Sequence, residues 1–315
     1  MGRFLLRRLL FFAFTLFLTS VIIFTLTRVL PGDVARVLLG RDASVEEVIQ
    51  VRQELGLDLP LPVQYANWVS EFFKKGWGIT FSRPRQPIRQ IVIERLVKSG
   101  QLALIALLLA VPLSLLLGVL AGLTAGKLPD SMISAATLSV GSLPEFVTGI
   151  FLINLLALRL GWFPASSSIR PDASLGEALP ALWLPAAAAA LVLVGYITRL
   201  TRAGVIEELK QDYVRTAILK GLPYRVVIFK HVLRNALLPT ITVIASSTGW
   251  LISGLVVIEF VFSYPGLGRL LIFGIENRDL PLIQAITMVT VSVILIANLT
   301  ADMLYMILNP RISLA

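Results

Sequence analysis

Cysteine is absent from the 315 residues, and histidine occurs once, as His231. The first absence excludes a disulfide framework, a thiolate metal site and a cysteine nucleophile. The second excludes a multi-histidine centre, so no metal site is expected. Charged residues are scarce, at 15%. Missing too is a catalytic constellation: there is no spaced aspartate pair, and no chain of acids with histidine suited to a proton relay. Catalysis is therefore not expected of this chain. Gly122-Leu-Thr-Ala-Gly-Lys127 approaches a phosphate-binding loop, but it is one residue short, and Leu128 stands where Ser or Thr would hold magnesium. Gly118, Gly122 and Gly126 recur every four residues, which lays them on one helix face and suits close packing against another helix.

Apolar residues are plentiful. They make up 56% of the chain, and the mean hydropathy is +0.83, more than one soluble core of this size hides. A bilayer core about 30 Å thick needs roughly 20 helical residues. Six stretches qualify: 9–30, 102–124, 131–157, 179–198, 239–262 and 282–308. The third contains Pro144-Glu145 and is expected to be kinked or broken. Arg3, Arg7 and Arg8 precede the first run as in a secretory signal. That run is longer than an h-region, however, and Thr27-Arg28-Val29-Leu30-Pro31 offers no small-x-small cleavage site, so it is expected to be an uncleaved span.

The formal net charge of +9 is gathered between the apolar runs rather than in one stripe. It therefore reads as topology and lipid contact, and no nucleic-acid partner is expected. Three basic residues precede span one, Lys127 lies between spans two and three, eight lie between spans four and five, and Arg311 follows span six. The two short loops on the opposite side carry two each, and the ten in the 31–101 segment count little because that segment is long. The excess puts both termini in the cytoplasm. The expected organisation is a cytoplasmic N-terminus and first span over 1–30, then an extracytoplasmic segment over 31–101. A core of spans two to six follows over 102–308, with a cytoplasmic loop at 199–238, and a tail at 309–315 closes the chain. Within the outer segment, Asp42–Leu57 and Val63–Phe73 read as helices separated by Pro60-Leu61-Pro62.

Ionisable residues inside spans mark pathways or structural pairs, because a charge in hydrocarbon costs a few kcal/mol. They are Glu145, Glu259 and Asp302. Glu145 and Glu259, with Ser246, Ser247 and Thr248 of span five, are candidate linings of a polar pathway; packing serves equally for the hydroxyls. Sites for ion-gradient coupling are sparse, so a pathway of this kind needs an external energy source.

The loop at 199–238 carries apolar residues at helical period between Arg202 and Lys220, with Glu207, Glu208, Lys210, Asp212 and Arg215 interspersed. The spacing predicts an amphipathic helix over that whole range. Gly221 supplies a left-handed stop, and Pro223 suits the first turn of a second short helix toward His231. By pattern alone the favoured reading is a helix lying on anionic lipid.

The residues add more. Gln211-Asp-Tyr-Val-Arg-Thr-Ala-Ile-Leu-Lys-Gly-Leu222 and His231-Val-Leu-Arg-Asn-Ala-Leu-Leu-Pro239 closely resemble the coupling loop of binding-protein-dependent ABC importer permeases, in the dipeptide/oligopeptide branch. The likeness runs along nearly the whole chain: Arg28-Val-Leu-Pro-Gly-Asp33, Leu55-Gly-Leu-Asp-Leu-Pro60, Gly76-Trp-Gly-Ile-Thr-Phe81, Val257 to Gly268, Asn277-Arg-Asp279 and Asn309-Pro310. Arg215-Thr216-Ala217 stands where the wider superfamily has Glu-Ala-Ala, and Arg234 where it has Pro; the peptide branch shares both departures.

The resemblance implies an all-α membrane protein with the type I ABC importer permease fold and about six transmembrane helices. It implies a loop that docks on separate subunits through Asp212, Tyr213, Arg215, Thr216, Ala217, Lys220, Gly221, His231, Arg234, Asn235 and Pro239. It also implies two ATP-binding subunits that hold ATP and Mg, a second homologous permease subunit and an extracytoplasmic solute-binding protein, with no cofactor on this chain. Substrates would be di- or oligopeptides; nickel complexes, glutathione and oligosaccharides are alternatives within the same machinery. A secondary transporter is the alternative of another class. The location implied is the cytoplasmic (inner) membrane of a bacterium or archaeon.

Overall fold

The computed structural model describes residues 2–29, 34–39, 43–54, 56–74, 76–168 and 175–308. Pro31-Gly32-Asp33, Asp42, Leu55 and the tail from Asn309 lie outside the described residues. Those described form helices and turns, with one isolated antiparallel bridge between Ile79 and Pro87. By contact the chain divides into residues 1–98 with 266–293, and residues 99–265 with 294–315.

The first unit begins with α1 (Gly2–Val29), followed by α2 (Val34–Leu39), α3 (Val45–Glu54) and α4 (Leu61–Lys74). Ser44 starts α3 through a reciprocal cap: its hydroxyl accepts from the Glu47 N–H, and the Glu47 carboxylate accepts from Ser44 N–H and Oγ. Those bonds hold the Glu47 carboxyl below the usual carboxylate range. Phe24 of α1 packs edge-on to Tyr65 of α4, and Trp68, Phe72 and Trp77 continue the aromatic row. Next comes α5 (Ile88–Leu123), which starts fourteen residues before the apolar run at 102. Its first turns supply Ile88 and Val92 to a core completed by Leu267 of α14 (Leu267–Glu276) and by Leu282, Ala285 and Ile286 of α15 (Leu280–Leu308). Buried Asp279 accepts from Ser82 N–H and Oγ and from Leu282 N–H, joining the segment after α4 to the start of α15.

The second unit takes up α5 from Ser99. It contains α6 (Leu128–Gly141), α7 (Glu145–Leu152, continued by a π-helical stretch to Arg159) and α8 (Leu175–Leu209). A hairpin follows, built from α9 (Asp212–Leu219), α10 (Tyr224–Val226, continued by a π-helical stretch to Val232) and α11 (Leu233–Ala236). Then come α12 (Leu238–Gly254), α13 (Val256–Val261) and the second half of α15. Between helices in lipid, close packing replaces the hydrophobic drive, and small residues permit it. Ala103, Ala106 and Ala110 of α5 are buried with Ala186, Ala188, Ala189 and Ala190 of α8, while Leu104, Leu108, Leu116 and Leu120 of α5 point outward. A Cβ on Gly118 would come within 2.5 Å of Thr201 Cβ, and one on Gly122 within 2.7 Å of Val205 Cβ, so both glycines admit α8. Gly126 departs from the expected stripe: α5 has ended, and φ +77° there makes the turn into α6.

Among the described residues, four helices are long and apolar enough to cross a membrane: 6–28 within α1, α5, 178–209 within α8 and 280–303 within α15. Two bent pairs bring the number to six. α6 and α7 meet at 100° across Ser142-Leu143-Pro144, so the break expected at Pro144 is present. The hairpin and α12 meet at 47° near Leu237.

Candidate functional site

The helix expected over 202–220 is two helices. α8 ends at Leu209, Gln211 is extended (ψ 144°), and α9 starts at Asp212, whose carboxylate sits in the first turn. Both pieces feed one apolar cluster. Val205 of α8, Val214 and Ala217 of α9, Val227, Ile228 and Val232 of the π-helical stretch and Ala236 of α11 are all buried together. Gly221, at φ +77°, reverses the chain after α9, and Pro223 caps α10. The hairpin is seated tightly on α8, because a Cβ on Gly204 would come within 2.6 Å of the Ala236 carbonyl.

The residues expected at the coupling surface fall into two groups. Tyr213, His231 and Asn235 meet each other: the Tyr213 hydroxyl donates to Glu208, accepts from Asn235 Nδ2 at 3.2 Å and lies 3.5 Å from the His231 carbonyl. Burial, and after it the Glu208 carboxylate, push the Tyr213 phenol up, so it stays a donor at neutral pH. Ala217 is buried in the cluster, and Thr216 bonds back to the Asp212 carbonyl. Arg215, Lys220, Gly221 and Arg234 face outward, and Pro239 stands in the first turn of α12. Around the corner, apolar side chains are bare: Leu219 is 79% exposed and Phe229 72%, with Ile218, Leu222 and Tyr224 also exposed. A bare apolar patch of this kind around a helix corner marks a contact surface.

Sequence reasoning missed an ion pair that fixes the base of this assembly. Arg202 of α8 donates from Nε and Nη2 to the two oxygens of Asp130 in α6, which also accepts from Gly126 N–H at 2.8 Å and from Ser134 Oγ at 3.2 Å. Asp130 is buried, and the fork geometry suits a guanidinium. The partners are 72 residues apart and flank different apolar runs, so no local signal joins them.

One turn further into α8 lies a cavity of about 440 Å³. Thr137 lines it from α6 and Ser142 from just past its end, Tyr196 and Arg199 from α8, and Ser247 from α12. It opens where α6 and α8 cross at Gly141 and Gly195; a Cβ on Gly195 would come within 2.9 Å of the Thr137 carbonyl. The expected pathway residues are thus dispersed. Ser247 lines the cavity, Ser246 is exposed, and Thr248 bonds back to the Ile244 carbonyl. Glu145 is half-buried in the first turn of α7, just beyond the break. Glu259 is fully buried in α13 and accepts from the Ser99 hydroxyl. Among the described residues no group of acids and histidine could hold a metal ion.

Comparison with known proteins gives a consistent answer. Residues 114–314 match the binding-protein-dependent transport system inner membrane component family, and residues 1–88 match the N-terminal membrane component of such systems. The chain is 36% identical, over 99% of both chains, to the glutathione transport system permease protein GsiC of Shigella flexneri serotype 5b (strain 8401). It is 35% identical to GsiC of Escherichia coli (strain K12), again over 99% of both. To the probable peptide ABC transporter permease protein y4tP of Sinorhizobium fredii it is 34% identical over the same share. In fold it is similar to an amino acid ABC transporter crystallised with histidines, with TM-score 0.53 and 15% identity over 71% of this chain and 94% of that one. The inward-facing MetNI methionine ABC transporter gives TM-score 0.56 and 13% identity over 71% and 99%. The chain belongs to the binding-protein-dependent transport system inner membrane component family, as an all-helical, multi-pass ABC importer permease of the inner membrane.

Proposed function

We propose that this chain forms half of the pore of an ATP-driven importer of di- or oligopeptides and performs no catalysis itself. Two ATP-binding subunits hold ATP and Mg and receive the 212–236 hairpin. A second permease subunit completes the pore, and an extracytoplasmic binding protein delivers the solute. The observation that carries this reading is the hairpin: it is locked on its inner side by a buried apolar cluster and bare on its outer side at Leu219, Leu222 and Phe229. A rigid element with an unpartnered apolar tip passes a partner's motion to α8 and α12, from which it is continuous. The names of the relatives support peptide-like solutes, and glutathione, itself a tripeptide, is the second reading that they favour.

The test is to co-purify the tagged chain with the products of its neighbouring genes in nanodiscs and measure ATP hydrolysis with and without the liganded binding protein. A stable complex whose hydrolysis rises with the liganded protein is the expected result, and a ligand panel then names the solute. A chain that recruits no ATPase would overturn the reading.

A further inference from the structure

Two arginines one turn apart on α8 have opposite surroundings. Arg202 is held by both oxygens of Asp130. Arg199 has no ion pair or hydrogen bond among the described residues, and it lines the 440 Å³ cavity. It is exposed toward the C-terminal end of α8, on the stretch that also carries Arg202, Glu207 and Glu208. A guanidinium with no counter-charge from the protein is available to an anion that enters the cavity. Asp130, on the helix that forms the other wall, already serves Arg202, Gly126 and Ser134 and supplies none.

The remaining polar groups of the cavity complement a peptide. The Thr137 and Ser142 hydroxyls donate to their own helix, to the Ile133 and Leu138 carbonyls, which leaves their oxygen lone pairs as acceptors toward the cavity. A planar guanidinium matches a carboxylate in two parallel hydrogen bonds. The volume lies in the range of roughly 300–1,000 Å³ typical of small-ligand sites.

We infer that this cavity is a carboxylate-binding subsite of the pathway: Arg199 takes the C-terminal carboxylate of a short peptide in transit, while Thr137 and Ser142 accept from its amide N–H groups. The inference rests on the import reading above and adds to it a requirement for an anionic end group. A site of this kind holds the solute only weakly, since Tyr196 and Arg199 of its lining are both exposed, and release is part of its task.

The lack of cysteine in the chain makes a direct test available. In the assembled complex, S247C is labelled with a sulfonatoethyl or a trimethylammonioethyl methanethiosulfonate, and the intact mass of this chain is followed over time. The anionic reagent should react roughly fivefold faster than the cationic one, as expected beside one unpaired cation in a low-dielectric cleft. Adding R199Q should bring the ratio close to one, and R199K should retain it. Free-acid trialanine should slow the labelling, whereas trialanine amide should not. A ratio unchanged by R199Q, or equal protection by the two peptides, would overturn the subsite. Labelling needs neither ATP nor uptake, so a complex that keeps the charge preference yet drives no peptide uptake contradicts the import reading and leaves the anion-selective cavity standing.

Discussion

Two interruptions of helix, one at Ser142-Leu143-Pro144 and one at Lys220-Gly221-Leu222, carry contrasting surfaces. The first lies inside a span, beside hydroxyls and Arg199. The second lies outside the spans and carries Leu219 and Leu222 bare. Each surface is the wrong one for its solvent, since polar groups are costly in lipid and apolar groups are costly in water. On the reading proposed above, a polar solute meets the first break and an apolar partner groove the second. A helix break is thus informative through what lies around it.

The largest expected effect falls at the outer corner. Gly221→Asp forces a side chain onto φ +77° and places a charge at the centre of the apolar tip, so uptake should fall by about tenfold or more while membrane insertion is unchanged. Normal uptake would detach the corner from coupling. The next effect concerns the shared support of the two regions. Arg202→Met leaves Asp130 buried without its cation, and the melting temperature in detergent should drop; exchanging the pair, as Asp130→Arg with Arg202→Asp, should recover part of the loss. No change on Arg202→Met would mean that the pair is ornamental. At the inner break, Gly195→Ala sets a methyl against the Thr137 carbonyl and should cost about 1–3 kcal/mol in unfolding measurements, narrowing the cavity as well. The smallest effect sharpens the contrast. Leu219→Ser should leave stability within about 0.5 kcal/mol, because the side chain touches little, and yet weaken ATPase recruitment in pull-downs. A large stability loss there would show that the tip is core rather than contact surface.

Much of this architecture is legible in the sequence, because lipid imposes a strong constraint: the apolar runs locate the spans, and Pro144 locates the break in the third. The start of α5 at Ile88 is hidden, since Arg89, Glu94, Arg95 and Lys98 lower the hydropathy although the helix continues through them. The division between α8 and α9 is hidden for another reason. Val205 and Leu209 before the break, and Val214 and Ala217 after it, pack on one cluster, so the apolar spacing passes through Lys210-Gln211 undisturbed. Gly221 and Ser247 can be picked out from local pattern, whereas the pairing of Asp130 with Arg202 and the isolation of Arg199 depend on which helix faces meet. Only the packing of α6 against α8 supplies that.

The central proposal is that the 212–236 hairpin seats its bare tip in an ATP-binding subunit. With no cysteine elsewhere in the chain, F229C carrying a short photoactivatable crosslinker in the assembled transporter tests it most directly. The account predicts a crosslink to the ATP-binding subunit whose yield changes between the nucleotide-free and ATP-trapped states, and which Gly221→Asp abolishes. Crosslinking to lipid alone, indifferent to nucleotide, would contradict it and make the hairpin a membrane-surface element.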